Sequence, residues 1–475
     1  MLARARPYIL LFLALTVVYH ANLRPVDSGD SLPASLIPFA IVLDHSVTLD
    51  RFAPWLSGHI WYTGSVIHPA HGHFFSNFPI AGPVLVSPLY LPFAFAGLDH
   101  WDPASLVTLA RIAQKFAATA ITALSAVVLL LLLKRLTTPR WAWYLTLVYA
   151  LATETWSISS QALWQHGPSE LAMIGCFYWL ERWRELGARH HYLWFCGVCA
   201  TAAFLIRPTN LVLLPALALA FLLARITIDE YARLMAVPLM GGAALVGYNL
   251  YVFQRLSGGY AVAVLHGSAL PGLAGLFLSP GRGLMLYTPV VLFALCAFLP
   301  GASVARRQHK LLLATAVTFI VLYSLVISQS VIWWGGYSWG PRLLTELTPP
   351  LIILTAIGAS AMDHSQRRVW FQQAFLILAL YSVLIQAIGV FFYPNGHWDG
   401  TPQSVDGAPG RLWDWKDNPI VRTFQGGLYW EPYAIVAVAL SKGIPAARVR
   451  LQELNVNPYE QAEPSRAPRA KPGLP

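Results

Sequence analysis

Asp27 and Asp30 lie three residues apart in a short polar segment that follows directly on a first apolar run, with Arg24 just upstream. The same stretch continues through His59, His68, His71 and His73. Only 11% of the chain is charged, against roughly 25% in soluble domains, so an acid pair here calls for a chemical reason. A carboxylate at a membrane–water boundary can act as general base on an acceptor hydroxyl or help to hold a cation. Asp27-Ser28-Gly29-Asp30 is equally the composition of a turn, with Asp30 or Ser31 capping the helix that follows. The residues alone leave both readings open. The imidazoles at His68, His71 and His73 have the chemistry of metal ligands. No cysteine or carboxylate stands at ligand spacing beside them, so they read as polar loop groups, His73 on the acceptor side, and no metal is assigned. A divalent ion is compatible with the residues but not indicated by them.

Basic and polar groups recur at helix ends further along. Arg111 and Lys115 are four residues apart and share a helix face, where they either clamp a lipid phosphate or snorkel as interface anchors. Arg207, with Pro208 fixing the turn behind it, presents a planar guanidinium suited to a phosphate, or serves as an anchor. Gln165 and His166 end one apolar run, Arg282 sits in the turn Ser279-Pro280-Gly281-Arg282-Gly283, and Arg342 precedes Glu346 by four residues. Each has a structural alternative, respectively a cap, a turn and an i,i+4 salt bridge. Trp333, Trp334 and Trp339 are either a sugar-stacking platform or part of an interfacial aromatic belt.

These residues need a scaffold that gathers distant loops on one surface. The chain has 475 residues, 56% of them hydrophobic, which excludes an ordinary soluble enzyme and points to an all-α polytopic membrane protein. Its formal charge of +10 is spread in small groups between apolar runs, the pattern of the positive-inside rule rather than of a nucleic-acid groove. Cys176, Cys196, Cys199 and Cys296 all fall in apolar segments, so no disulfide framework is implied. Runs of spanning length predict about eleven transmembrane helices, over 7–22, 105–133, 141–159, 168–182, 191–206, 209–224, 233–253, 284–300, 310–329, 343–361 and 369–392. The first carries Arg4 and Arg6 ahead of an apolar run but lacks a convincing cleavage site, and is expected to stay in place.

A cytoplasmic N-terminus puts Lys134, Arg135 and Arg140, then Arg182 and Arg184, then Arg306, Arg307 and Lys310, then Arg367 and Arg368 on the inside. The outside loops are the unusual ones. The first, about 23–104, holds two apolar segments broken by proline: Leu32–Leu43, too short to span and predicted to lie in the interface, and Phe78–Ala96, predicted to be a broken, peripheral segment. Residues 1–393 form the membrane domain. Residues 394–475 are an outer-side tail, predicted to be disordered from about 463.

The polar clusters on several different loops all fall on the outer side, opposite the Lys/Arg-rich side. Together they look like one site at the outer membrane surface, with cations for an anionic lipid head and carboxylates for acid–base work. An apolar first helix followed by an acidic pair, a long first outer loop, the proline-rich Asn77-Phe78-Pro79-Ile80-Ala81-Gly82-Pro83 leading to a long second helix, and many later spans resemble the GT-C superfamily of integral-membrane glycosyltransferases. The chain is similar in pattern to its polyprenyl-phosphate-sugar-dependent mannosyl- and aminoarabinosyltransferases.

The resemblance implies an enzyme of a bacterial inner membrane that transfers a sugar from a polyprenyl-phosphate donor to a lipid, glycan or protein acceptor at the periplasmic face. A first-loop carboxylate would be the base, Asp30 first and Asp27 second; many members carry adjacent acids, whereas these are three apart. Arg207, Arg111, Lys115, Arg282 and Arg342 would bind the donor phosphate. Gln165, His166, His73, Trp334 and Glu346 would line the acceptor or sugar side. A phosphate-activated donor needs no nucleotide-binding fold, and no G-x-G-x-x-G unit is present. A transporter or flippase for a lipid-linked sugar, with Glu154 and Asn249 as candidate midplane groups although both sit toward the outer ends of their spans, and an oligosaccharide ligase are the alternatives.

Overall fold

The computed structural model describes residues 2–58, 66–186, 191–259 and 266–442. His59 and the end of the tail, including the stretch predicted to be disordered, lie outside them. Each predicted apolar stretch is helical in whole or in large part. Five helices are long and apolar enough to cross a membrane: Pro103–Leu136, Ile228–Phe253, Lys310–Ser328, Arg342–Asp363 and Arg368–Phe391. A sixth crossing exists if the pair Pro289–Phe298 and Pro300–Gln308, bent by 74°, counts as one. The fold is thus all-α and polytopic, with five or six long apolar helices among the described residues rather than eleven.

The difference has local causes. His166–Glu185 is long enough, but Glu170, Glu181, Arg182, Arg184 and Glu185 lower its hydropathy. Pro289 and Pro300 open separate short helices, since proline lacks the amide that would continue the ladder. His191–Ile206 and Pro208–Leu223 are shorter apolar helices, divided at Arg207-Pro208 as the sequence predicts.

Pro103–Leu136 is the organising element. Asp102 caps it by accepting from the Ser105 amide at 3.0 Å, Pro103 takes the first helical position, and no proline or glycine interrupts its 34 residues. At about 1.5 Å per residue it is some 50 Å long, enough to cross a bilayer core and project beyond it. Leu2–His20, Pro139–Leu151 and His166–Glu185 pack around it, with a core that includes Leu15, Leu129, Leu145 and Phe177. Outward faces such as Leu239 and Met240, or Leu376, Ile377 and Leu380, are apolar and exposed, as hydrocarbon-facing surfaces are.

The first loop folds over the outer end of this helix. Leu32–Leu43 lies within the helix Ser31–Asp44, which buries Leu36, Ile37 and Phe39 against Leu106, Val107 and Ala110. Phe78–Ala96 is broken as its prolines dictate, into Ala81–Val86, Ser87–Tyr90 and Leu91–Ala94. A hairpin pairs Ile67–Ala70 with His73–Ser76, the sole sheet among the described residues. Residues 394–425 pack onto the same end through Trp398, Val405 and Leu412 against Trp334.

Candidate active site

Asp30 occupies the cap position of the helix Ser31–Asp44, yet its side chain does not cap it. The carboxylate instead accepts from the Ser28 hydroxyl and from Arg342 Nη1. Arg342 is brought within reach by two further contacts. Its Nη2 donates to the Gly335 carbonyl at 2.7 Å, and its guanidinium lies 4.6 Å from the centre of the Trp164 ring, a cation–π distance. Gly335 has φ +80°, and a Cβ there would crowd Leu343 at 3.3 Å, so glycine suits both the turn and its neighbour. Trp164 donates its Nε1 hydrogen to the Val26 carbonyl at 3.0 Å. One indole therefore holds the backbone next to Asp27 and the cation that meets Asp30.

Asp27 has a different partner. Arg111 grips it with Nε and Nη2 at 2.9 and 3.0 Å, the bidentate geometry that guanidinium and carboxylate favour. Gln114, one turn on, donates to the same carboxylate at 3.2 Å and accepts from the Leu163 amide. Burial pushes both carboxyls up, but Arg111 with backbone bonding and Arg24 at Asp27, and Arg342 with the Ser28 hydroxyl and backbone bonding at Asp30, together outweigh it, so both are held below the usual value of 3.8. Both are ionised at neutral pH. Asp30 is the more open of the two, with 27% of its side chain exposed against 15% for Asp27.

A second, fully buried group lies alongside. His166 Nδ1 meets the Glu346 carboxylate at 2.9 and 3.1 Å. Arg207 Nε stands 3.2 Å from the same carboxylate, and the Tyr323 hydroxyl donates to it at 2.9 Å. His166, Arg207 and Glu346, predicted from three separate loops, thus converge. They converge on one another, with Arg207 engaged by Glu346 and Tyr323.

The remaining predicted residues are distributed as follows. Lys115 is buried and donates to Gln161 Oε1 at 2.6 Å, an oxygen that also receives Asn22, whereas Arg111 meets Asp27. Arg282 is buried against Asp399 of the tail, with Trp398 stacked at 4.9 Å. Trp334 is buried and donates to Asp406 at 2.8 Å, within the core that seats the tail. His73 stands away from Asp27 and Asp30, 2.7 Å from Asp50, while His68 and His71 pack on Phe253 and Tyr251. Gln165 is half-buried, its carbonyl accepting from Ser169. Among the described residues no group of three or more His, Cys, Asp or Glu side chains could hold a metal ion.

Several partners escaped the sequence reading. Gln114 is a glutamine inside an apolar run and Gln161 lies just past the end of another, a signal present in the sequence. Tyr323 and Asp399 carried none, because their partners are distant in sequence. Glu170 is fully buried on the helix that starts at His166, and accepts from Thr155 at 2.7 Å. Glu154 is likewise buried, bonded to Thr288 at 2.6 Å and Gln386 at 3.3 Å. Asn249 donates to the Leu256 carbonyl at 2.8 Å, closing the end of its own helix.

No family model matches the sequence. No curated protein matches it either. Among solved structures, ArnT from Cupriavidus metallidurans bound to undecaprenyl phosphate superposes with a TM-score of 0.51 at 14% identity, covering 95% of this chain and 75% of that one. The oligosaccharyltransferase of Archaeoglobus fulgidus gives 0.48 at 13% identity in its apo form, covering 87% and 60%, and 0.49 at 14% identity when tethered to an acceptor peptide, covering 86% and 58%. At these identities the likeness is one of fold. The long apolar helices are those of a membrane protein, and the fold they build is similar to that of ArnT.

Proposed function

We propose that this protein transfers a sugar from a polyprenyl-phosphate donor to an acceptor hydroxyl at the periplasmic face of a bacterial inner membrane, with all eleven apolar segments in the bilayer and the N-terminus cytoplasmic. The observation that carries the reading is the pairing of Asp30 with Arg342. A carboxylate that can take a proton and a guanidinium that can meet a phosphate stand side by side at one helix end. The polyprenyl phosphate bound by ArnT, whose fold is similar, supports the donor class.

In this reaction the acceptor oxygen forms a bond to the anomeric carbon as the bond from that carbon to the donor phosphate breaks. The acceptor proton passes to Asp30, and the lipid phosphate leaves with its negative charge facing Arg342 and Arg111. Arg342 lowers the basicity of Asp30. The carboxylate therefore takes the proton late, as the leaving group departs and draws on the same guanidinium. Asp27 keeps Arg111 in place. His166, Glu346 and Arg207 form the buried wall behind the reacting groups and support the acceptor side. One displacement inverts the anomeric centre. Lys115 and Arg282 support the fold of the site from inside the protein.

The test is binding. Undecaprenyl phosphate added to the purified protein should raise its melting temperature, and Arg342→Gln should remove most of that shift, each protein being compared with its own unliganded melt. An equal shift in wild type and Arg342→Gln would remove Arg342 from the donor site.

A further inference from the structure

The end of the bundle opposite Asp30 carries a cavity of about 430 Å³ lined by Arg135, Thr137, Gln308, His309, Ser360 and His364. It lies far from the carboxylates. Arg111 and Arg135 are on the same helix, and 24 residues at about 1.5 Å each separate them by some 36 Å, about the thickness of a bilayer core. The volume suits a phosphate-bearing head group.

The lining carries basic side chains and no carboxylate. Three acids nearby are each engaged more than once: Glu185 by Arg135 and Arg182, Glu181 by Arg184 and His309, Asp363 by Trp141 and Gln372. His309 is 2% exposed, and its Nδ1 is committed to Glu181 at 2.9 Å, which leaves Nε2 as the nitrogen available to a cavity occupant. Arg135 Nε is buried with no hydrogen-bond partner, and a buried guanidinium nitrogen without an acceptor is costly unless something else satisfies it. Lys134, Arg306 and Arg307 are chain neighbours of lining residues and add positive charge to this end. We infer that this cavity is a second binding site, for a phosphate group carried by an anionic lipid of the facing leaflet or by a small soluble phosphate ester, held by Arg135 and His309.

Native mass spectrometry of the full-length protein tests this, with phosphatidylglycerol and phosphatidylcholine as lipid probes and glycerol 3-phosphate as the soluble one. Wild type should retain phosphatidylglycerol, glycerol 3-phosphate or both in preference to zwitterionic phosphatidylcholine. Displacement of the lipid by the soluble ester means both share the pocket; retention of only one identifies the source. Arg135→Gln removes one charge and Gln308→Glu adds an opposing one, so each should weaken retention about fivefold. Gln308 is exposed and its replacement breaks no ion pair, so Gln308→Glu decides the matter if Arg135→Gln fails to fold. Equal retention of the two lipids with no bound ester, or anion retention unchanged in Gln308→Glu, would overturn the assignment.

Discussion

Arg342 and Glu346 stand four residues apart, yet their charges are spent in different directions. Arg342 reaches Asp30 in the first loop, whereas Glu346 is held by Arg207 and His166. The turn Arg342–Leu347 is a 3₁₀ helix. At three residues per turn, positions i and i+4 do not share a face. The i,i+4 salt bridge that the spacing offers is replaced by two separate contacts, and this one turn links the open carboxylate site to the buried one.

Replacing either residue should therefore have distinguishable effects. Arg342→Gln should cut transfer by about 10²-fold or more, the scale of a lost charge stabiliser, with a smaller fall in melting temperature than Glu346→Gln, because Asp30 keeps partial exposure and its Ser28 bond. Glu346→Gln leaves Arg207 buried beside a neutral amide and should destabilise the fold by about 3–5 kcal/mol. Thermal melts and transfer rates on the two variants check the separation.

Asp27→Asn and Asp30→Asn should likewise differ. Asp30→Asn should stop turnover, a loss of about 10³-fold or more, in a protein that folds normally. Asp27→Asn loosens Arg111 and should weaken use of the donor while leaving residual turnover. Donor titrations of both variants separate the roles.

Both carboxyls titrate below their unfolded values, so the stability that their ion pairs contribute is fully present above about pH 4 and is lost as pH falls through the depressed folded values. The melting temperature should be insensitive to these groups from about pH 5 upward and fall below that. In Asp27→Asn the acid fall should be shallower. Melts across pH on the two proteins test the sign.

The tail should prove integral to the fold. Arg282 and Asp399 form a buried pair, and Asp399→Asn leaves the guanidinium with weaker compensation, at a cost approaching about 3–5 kcal/mol. Limited proteolysis should then cut within residues 394–425 in the variant and spare them in wild type.

Much of this fold was legible in the sequence because hydrocarbon length and proline chemistry act locally. The broken run Phe78–Ala96, the link at Arg207-Pro208 and the helix Ser31–Asp44 all follow from a few neighbouring residues. The number of long apolar helices did not follow, because hydropathy windows pass over the charges of His166–Glu185 and the breaks at Pro289 and Pro300. The polar clusters on distant loops do meet, but the sequence could not say which cation meets which acid. Arg342 meets Asp30 across more than 300 positions, and Lys115 turns inward to Gln161 despite sharing a face with Arg111. Pairings of that kind depend on tertiary packing alone.

The central claim is most directly tested by release of polyprenyl phosphate. Purified protein in liposomes would be supplied with undecaprenyl-phosphate sugars and membrane-extracted acceptors, and the freed lipid phosphate measured by mass spectrometry in wild type, Asp30→Asn and Asp27→Asn. Acceptor-dependent release in wild type, with inverted anomeric configuration in the product and none from folded Asp30→Asn, is the predicted result. Equal release from all three proteins, or none from folded wild type with any donor, would contradict it.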